Sequence, residues 1–454
     1  MTPSRVALAT FALAAAVSAQ VPDGWYAWSA FGSAGRTGIF LQHPRTPGAP
    51  VTVEGLNPDL LYVPGGRAGG SSLLVRASDG ALIVGERAAV GNSVDLHVIR
   101  LSGVQVAFDQ LFSMGTAGPA GEIPQAALMP DGKVLVAATD LTQGPLANIP
   151  TSNYGMEGIG IVDLNGGAVT PVPVANPGVF LGGVFNGLTL SADGTTAYIA
   201  NYVSSTVGEI WALPVPAGGT ATLLTTVPAG VSNVGLDLDG DLMIVALNGP
   251  PNCWRYEFGT AQLSPIVTGT GPLNAIALET TTGNFALCSA NAGTPSRSIL
   301  WMDPQGNATT LVTPGYGTPS GIDARQNPRT FGSATPNADV YVWKLRPNPG
   351  GLPLVGNAGF SLTMEASNPN APSFGGVLIG LAKAPSPINV AGVDVLVDPA
   401  SILYSGSVGV SVTQTIGLGI PADSGLVGAK LYLQGIHLTG GGLIGTNGVE
   451  FAIL

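Results

Sequence analysis

Six polar residues stand at matching places in six related stretches of the chain: Ser72, Gln125, Asn186, Asn233, Asn274 and Ser320. Each precedes an apolar run. Oxygens converging from six strand starts would make an oxygen-rich site for a polar ligand or a hard divalent cation such as Ca2+. The same residue types also cap strand ends and hold channel water, so both uses stand open. Asp237-Leu238-Asp239-Gly240-Asp241 has the look of a calcium loop. It lacks the distal bidentate acid, and Leu238 falls where strand alternation wants an apolar residue, so it reads as a hairpin. His43, His97 and His437 are scattered and form no zinc pattern; His97 is the one to weigh for a Ser-His-Asp arrangement. No phosphate loop, nucleophile elbow or dinucleotide fingerprint occurs, so no catalytic residue or organic cofactor is assigned.

These residues must be positioned by a repeat. Four stretches place Asp-Gly between two apolar runs: SSLLVRASDGALIVGE (71–86), PQAALMPDGKVLVAAT (124–139), NGLTLSADGTTAYIAN (186–201) and NVGLDLDGDLMIVALN (233–248). NAIALETTTGNFALCS (274–289) substitutes Thr-Gly, and SGIDARQNPRTFGSAT (320–335) is a weaker copy. Asp-Gly favours a hairpin because Gly accepts positive φ and Asp bonds its own turn backbone. Two further strand-like runs follow each hairpin, as in GEIWALPV and ATLLTTVP. Four short strands per unit, repeated, is the pattern of a β-propeller, whose sheets must stack to cover both faces. Three runs before the repeats (25–55) and three after (320–345) exceed one shared closing blade. The expectation is an all-β fold: a seven-bladed, alternatively six-bladed, propeller over 20–346.

Composition agrees. The 454 residues include 66 Gly and 37 Pro, which excludes a coiled coil. The chain is 45% hydrophobic and only 9% charged, the reverse of disorder. A net charge of −11 with 16 Lys+Arg makes nucleic acid an unsuitable partner. Arg5 followed by the apolar run Val6–Val17 and Ser18-Ala19-Gln20 reads as a signal peptide over 1–19. The expected location is secreted or at the cell surface, with no membrane span in the mature chain. Cys253 and Cys288 lie in neighbouring repeats and could bridge or stay as buried thiols. Trp25, Tyr26 and Trp28 could pack or stack on sugars. The Pro/Gly-rich stretch 347–353 reads as a linker, and the strand-rich 354–454 as a small β-sandwich.

The stretch NGLTLSADGTTAYIAN resembles the blades of SMP-30/gluconolactonase-like and NHL-type propellers. In that resemblance Gly121-Glu122-Ile123-Pro124 matches a Gly-Glu-x-Pro whose Glu ligates a divalent metal. It implies an oxygen cage of Glu122, Asn186, Asn233 and Asn274, and a metal-dependent lactonase or lyase. Two departures stand against the activity. The Glu lies in the third unit, and Asn233 occupies the place of the family's axial Asp, where a general base needs a titratable group. The stretch 417–453 is similar to a terminal domain of secreted bacterial proteins, which implies an export, surface or assembly accessory. The sequence thus leads to a secreted propeller that binds or scaffolds, with carbohydrate, peptide or a cell-envelope component as partner.

Overall fold

The computed structural model describes residues 21, 25–31, 38–42, 49–56, 72–76, 79–150, 155–191, 194–237, 240–248, 250–266, 271–279, 284–289, 297–312, 318–324, 329–331, 343–347, 356–366, 374–410, 413–426, 429–439 and 442–453. The expected signal peptide and most of the expected linker lie outside these. Two compact units divide the chain. The first is Met1–Asp237, Asp241–Leu278 and Asn284–Arg325; the second is Leu238–Gly240, Glu279–Gly283 and Gln326–Leu454.

The first unit is all-β, and its sheets are antiparallel. One sheet joins β1 (Tyr26–Phe31), β2 (Gly38–Gln42) and β3 (Val51–Thr52) to β24 (Thr318–Ala324), in the order β24-β1-β2-β3. The next sheet runs through β4 (Leu73–Val75), β5 (Leu82–Gly85), β6 (Ser93–Ser102), β7 (Gln105–Leu128), β8 (Val134–Gln143), β10 (Met156–Val162) and β11 (Val169–Pro171); β9 (Ile149–Pro150) pairs with β10. Its length comes from β7, whose first part pairs with β6 and whose second part pairs with β8. Three four-stranded sheets follow: β12 (Val184–Leu190), β13 (Thr196–Ser204), β14 (Val207–Pro214) and β15 (Thr222–Val227); β16 (Val231–Leu236), β17 (Leu242–Ala246), β18 (Cys253–Glu257) and β19 (Gln262–Ile266); β20 (Leu273–Leu278), β21 (Phe285–Ser289), β22 (Ile299–Met302) and β23 (Ala308–Val312).

The first strands of these groups touch in a closed order: β4, β7, β12, β16, β20, β24 and back to β4. Sheets therefore radiate from a ring, the propeller arrangement that the repeat implies. Each second strand lies between two neighbouring groups, and β17, β21 and residues 134–138 of β8 are accordingly apolar or nearly so, without alternation, and buried on both faces. Outer strands such as β15 and β19 are largely exposed. Apolar clusters fill the seams: Leu135 and Ile159 meet Leu188 and Leu213 at one, and Cys288 and Ala277 meet Trp28 and Phe40 at another. Tyr26 and Trp28 are fully buried, with Trp28 stacked on Phe40 at 4.5 Å and Tyr26 edge-on to Trp301, which settles them as packing residues. The hairpins form as expected. Gly80, Gly132, Gly194 and Gly240 all have positive φ, and Asp79 and Asp131 accept the backbone N–H of Ala81 and Lys133. Asp193 and Asp239 lie outside the described residues.

The end of the first unit departs from expectation. Of the three runs after the repeats, only SGIDAR joins the ring, as β24 beside β1. The other two supply β25 (Arg329–Phe331) and β26 (Trp343–Pro347), which pair within the second unit. No seventh ring strand occurs among the described residues. Periodicity alone could not find this, because all three runs are apolar and strand-like, and only their pairing partners separate them.

The second unit contains β27 (Ser361–Ala366), β28 (Phe374–Gly380), β29 (Lys383–Val390), β30 (Val393–Val397), β31 (Ile402–Val410), β32 (Thr413–Gly417), β33 (Lys430–Thr439) and β34 (Gly442–Ala452). They form a five-stranded sheet, β25-β34-β33-β28-β31, a three-stranded sheet, β26-β27-β32, and the hairpin β29-β30. Leu362, Met364 and Ile416 of the smaller sheet share one core with Val377, Leu433 and Val449 of the larger. Gln434, fully buried, accepts from Leu396 N and donates to Asp394 O and Thr446 O, tying the hairpin to this core.

Cys253 and Cys288 are free and buried. Burial pushes both thiols up, Cys253 to about 12. Thiolate is the reactive form. An alkylating reagent at neutral pH should leave the native chain unmodified and label two thiols after unfolding without reductant. Mass spectrometry reads the outcome; one or no label after unfolding would contradict the free-thiol state.

Candidate functional site

Polar side chains stitch the ring strands together, two of them singled out by the sequence and two not. Asn186, at the start of β12, donates from Nδ2 to the Val231 carbonyl of the next ring strand at 3.1 Å. Asn274 on β20 does the same to Pro319 O of β24 at 2.8 Å. Ser232 on β16 donates to Leu273 O of β20. Asp323 on β24 accepts from Val75 N of β4 at 2.8 Å. Each of these bonds satisfies a backbone group between adjacent strands that do not share a ladder, where an unpaired group would be costly. Asn186 and Asn274 therefore spend their amide nitrogens on structure.

The other candidates are placed as follows. Asn233 is buried, its Oδ1 accepts from Val234 N at 2.7 Å, and Gln125 Nε2 reaches the same oxygen at 3.5 Å. Ser320 Oγ lies 2.9 Å from Ser29 Oγ, both buried, across the β24-β1 pair. Ser72 is buried, with its backbone bonded to Ile123 and Gly85. Glu122 stands opposite Thr139 of β8 on one side and Arg87 on the other. Gln125 and Asn233 come together, as do Ser320 and its neighbour Ser29, while Glu122 belongs to a different group of side chains.

That group was not legible as a motif. Arg87 Nε lies 3.8 Å from Glu122 Oε2, with both side chains nearly enclosed. Asp140 sits at a register shift between β8 and β10 with φ +49. Such backbone suits Asp better than most side chains, and a bulge redirects the side chain it carries. A Cβ on Gly118 would lie 2.3 Å from Asp140 Oδ1 and one on Gly155 2.9 Å, so these glycines make room for it. Glu157 on β10 is fully buried, and its Oε1 accepts from Phe185 N of β12 at 3.3 Å. Burial pushes Glu122 up to about 7, with Arg87 opposing and Asp140 adding to the rise. Burial likewise holds Glu157 well above the usual carboxylate range; Phe185 N–H opposes this and Asp140 reinforces it. Oε2 of Glu122 and Oε2 of Glu157 are buried without a hydrogen-bond partner. A proton on such a carboxyl removes most of the cost of burying it. Among the described residues, no group of three or more His, Cys, Asp and Glu side chains is placed to hold a metal ion.

Two further sequence candidates resolve. Asp237 and Asp241 clamp Arg255, at 2.9 Å from Nε and 2.9 Å from Nη2, and Asp241 also accepts from Phe258 N. The calcium-loop look is a hairpin braced by an arginine. His97 has Asp109 at 2.9 Å from Nδ1 and Glu86 at 3.7 Å from Nε2. Burial lowers its pKa, but the two carboxylates outweigh this and raise it to about 9. His97 is a charged structural pin between Asp109 and Glu86.

No family model matches the chain, and no curated protein matches it. Among solved structures the chain is similar to TolB from Acinetobacter baumannii, at 12% identity and TM-score 0.46, over 66% of each chain. It is also similar to a periplasmic gluconolactonase from Pseudomonas aeruginosa, at 13% identity and TM-score 0.39, over 66% of this chain and 98% of that one. An aldose sugar dehydrogenase from Streptomyces coelicolor gives 16% identity and TM-score 0.42, over 61% of this chain and 90% of that one. The architecture rests on the strand pairings above and not on these similarities.

Two predictions follow from the ring. Asn274→Leu strips the Pro319 carbonyl of its partner and should cost about 1–3 kcal/mol in chemical denaturation; a loss near zero would remove the stitching role. Asp323 is pushed up to about 7 by burial against the pull of the Val75 and Ala324 N–H groups. Asp323 and Glu122 both have raised folded pKa values, so their stability contribution is present in acid and is lost as pH rises from about 4 to 7. The denaturation midpoint should fall over that interval, and Asp323→Asn should flatten the fall.

Proposed function

We propose that the chain is an exported six-bladed β-propeller that binds or scaffolds, carrying a C-terminal β-sandwich for surface attachment or assembly. Six blades are preferred to seven because six ring strands form one closed order and the sheet from β4 to β11 divides within β7 into two groups of four, β7 belonging to both and β9 to neither. The export reading rests on the N-terminal sequence, and no helix among the described residues is long and apolar enough to cross a membrane. The observation that carries the binding role is the use of the ring's polar side chains. Asn186, Ser232 and Asn274 bond neighbouring backbone, which favours a rigid platform over a metal cage. Ser72, Gln125 and Ser320 are proposed as ligand-facing positions of that platform. Carbohydrate, peptide or an envelope component is the proposed partner class; the named solved structures are too distant to choose among them.

A divalent-metal lactonase or lyase is the second reading. It is favoured by one observation: Glu122 keeps a buried oxygen without a hydrogen-bond partner and titrates near neutrality, as a metal ligand or general base could. In it, Glu122, Asn186, Asn233 and Asn274 would hold the ion.

Calorimetric titration with Ca2+, Mn2+ and Zn2+ separates the two. The binding-platform reading expects no saturable heat from any of the three, and no difference between the wild type and Glu122→Gln. Stoichiometric binding that disappears in Glu122→Gln, with metal-dependent turnover on a lactone panel, would replace it with the enzyme reading.

A further inference from the structure

Among the described residues, the strand β31 is the outer member of the five-stranded sheet of the second unit, pairing with β28 on one side only. An edge strand presents a row of unpaired backbone donors and acceptors. Folded proteins usually blunt such edges by shortness, by charge or by proline. Two other edges of this unit follow the rule. β25 has three residues and includes Arg329; β26 carries Lys344, Arg346 and Pro347. β31 does not: ILYSGSVGV is nine residues long, with no charge and no proline.

The side chains at its start are also open. Leu403 is 60% exposed and Tyr404 54%, although adjacent strand residues point to opposite faces. Both faces of the strand are therefore uncovered there. Leu381, 54% exposed, adjoins them, because its N–H bonds Ser401 O just before β31. Three large apolar side chains and an unblunted edge thus coincide at one place. Scattered apolar residues need no explanation, but a contiguous group on an edge marks a pairing surface.

We infer that β31 pairs antiparallel with β31 of a second copy of this chain, joining two five-stranded sheets into one across a two-fold axis. A two-fold contact sets a surface against itself, so any charge on it would meet its own kind. β31 carries none, and that is the argument for a second copy over a partner of opposite charge. The axis passes near Gly406, the middle of the strand, where the Tyr404 ring already lies over the glycine. Leu403, Tyr404 and Leu381 are covered by the partner strand and its flanks. The pairing is independent of what the propeller binds.

The full-length chain is examined by sedimentation velocity over a hundredfold concentration range, alongside the double variant Leu403→Lys/Tyr404→Lys and the control Leu223→Lys on β15. The wild type and the control should show twice the chain mass at the upper concentrations, and the double variant the chain mass throughout, with unchanged circular dichroism and melting. A mixture of Ser405→Cys chains and Ser407→Cys chains should form a disulfide-linked dimer under mild oxidation, because antiparallel pairing about Gly406 sets position 405 of one copy opposite position 407 of the other. A wild type that stays monomeric overturns the inference. So does a dimer that survives in the double variant, or one that the control also dissolves. If the double variant misfolds, the cross-link between Ser405→Cys and Ser407→Cys chains decides alone, and its failure overturns the pairing.

Discussion

The pairing of β1 with β24 is the contact on which the first unit depends. Ser29 and Ser320 meet across it although 291 residues separate them in the chain. A four-stranded antiparallel sheet with two apolar faces is not stable alone in water, and each sheet here buries its faces against two neighbours. An open row of such sheets would leave two apolar faces at its ends. Joining the first and last strands in one sheet removes both ends at once. The loop-closure entropy of so long a connection grows only logarithmically with length, so the cost is modest against the area buried.

The second requirement is at the inner edge. Ring strands lie side by side without a shared ladder, and their outward backbone groups still need partners. Side chains supply them. Asn186, Ser232 and Asn274 each reach a carbonyl of the following strand, and Asp323 reaches an N–H at the closing seam. This explains the asparagines at the starts of β12 and β20. Their recurrence is first a structural demand, and any ligand site must be built from what that demand leaves over.

What it leaves over is concentrated beside β7 and β8. Arg87, Glu122, Asp140 and Glu157 are drawn into one enclosed polar group by strand pairing and by the left-handed backbone of Asp140. Burial raises the pKa of Glu122 and of Glu157, so their protons are coupled to the fold. His97 is the converse case. Two carboxylates hold its charge, and its stability contribution, present at acid pH, fades as pH climbs from about 6.5 to 9. The molecule is thus set to be more stable in mild acid than in mild alkali.

The sequence by itself determined the hairpins, because Asp-Gly and the positive φ of its glycine are local properties. It determined the repeat, the all-β class and the strand starts at which Asn186 and Asn274 stand, because period-two and apolar runs are read from neighbours in the chain. Only the tertiary structure decided that β25 and β26 pair in the second unit, β25 with the distant β34 and β26 with β27. It alone decided that Asp237 and Asp241 grip Arg255, and that Glu122 faces Arg87. Residue types offer a chemistry, but which oxygen meets which donor is fixed by strand register and by the bulges that turn side chains between faces.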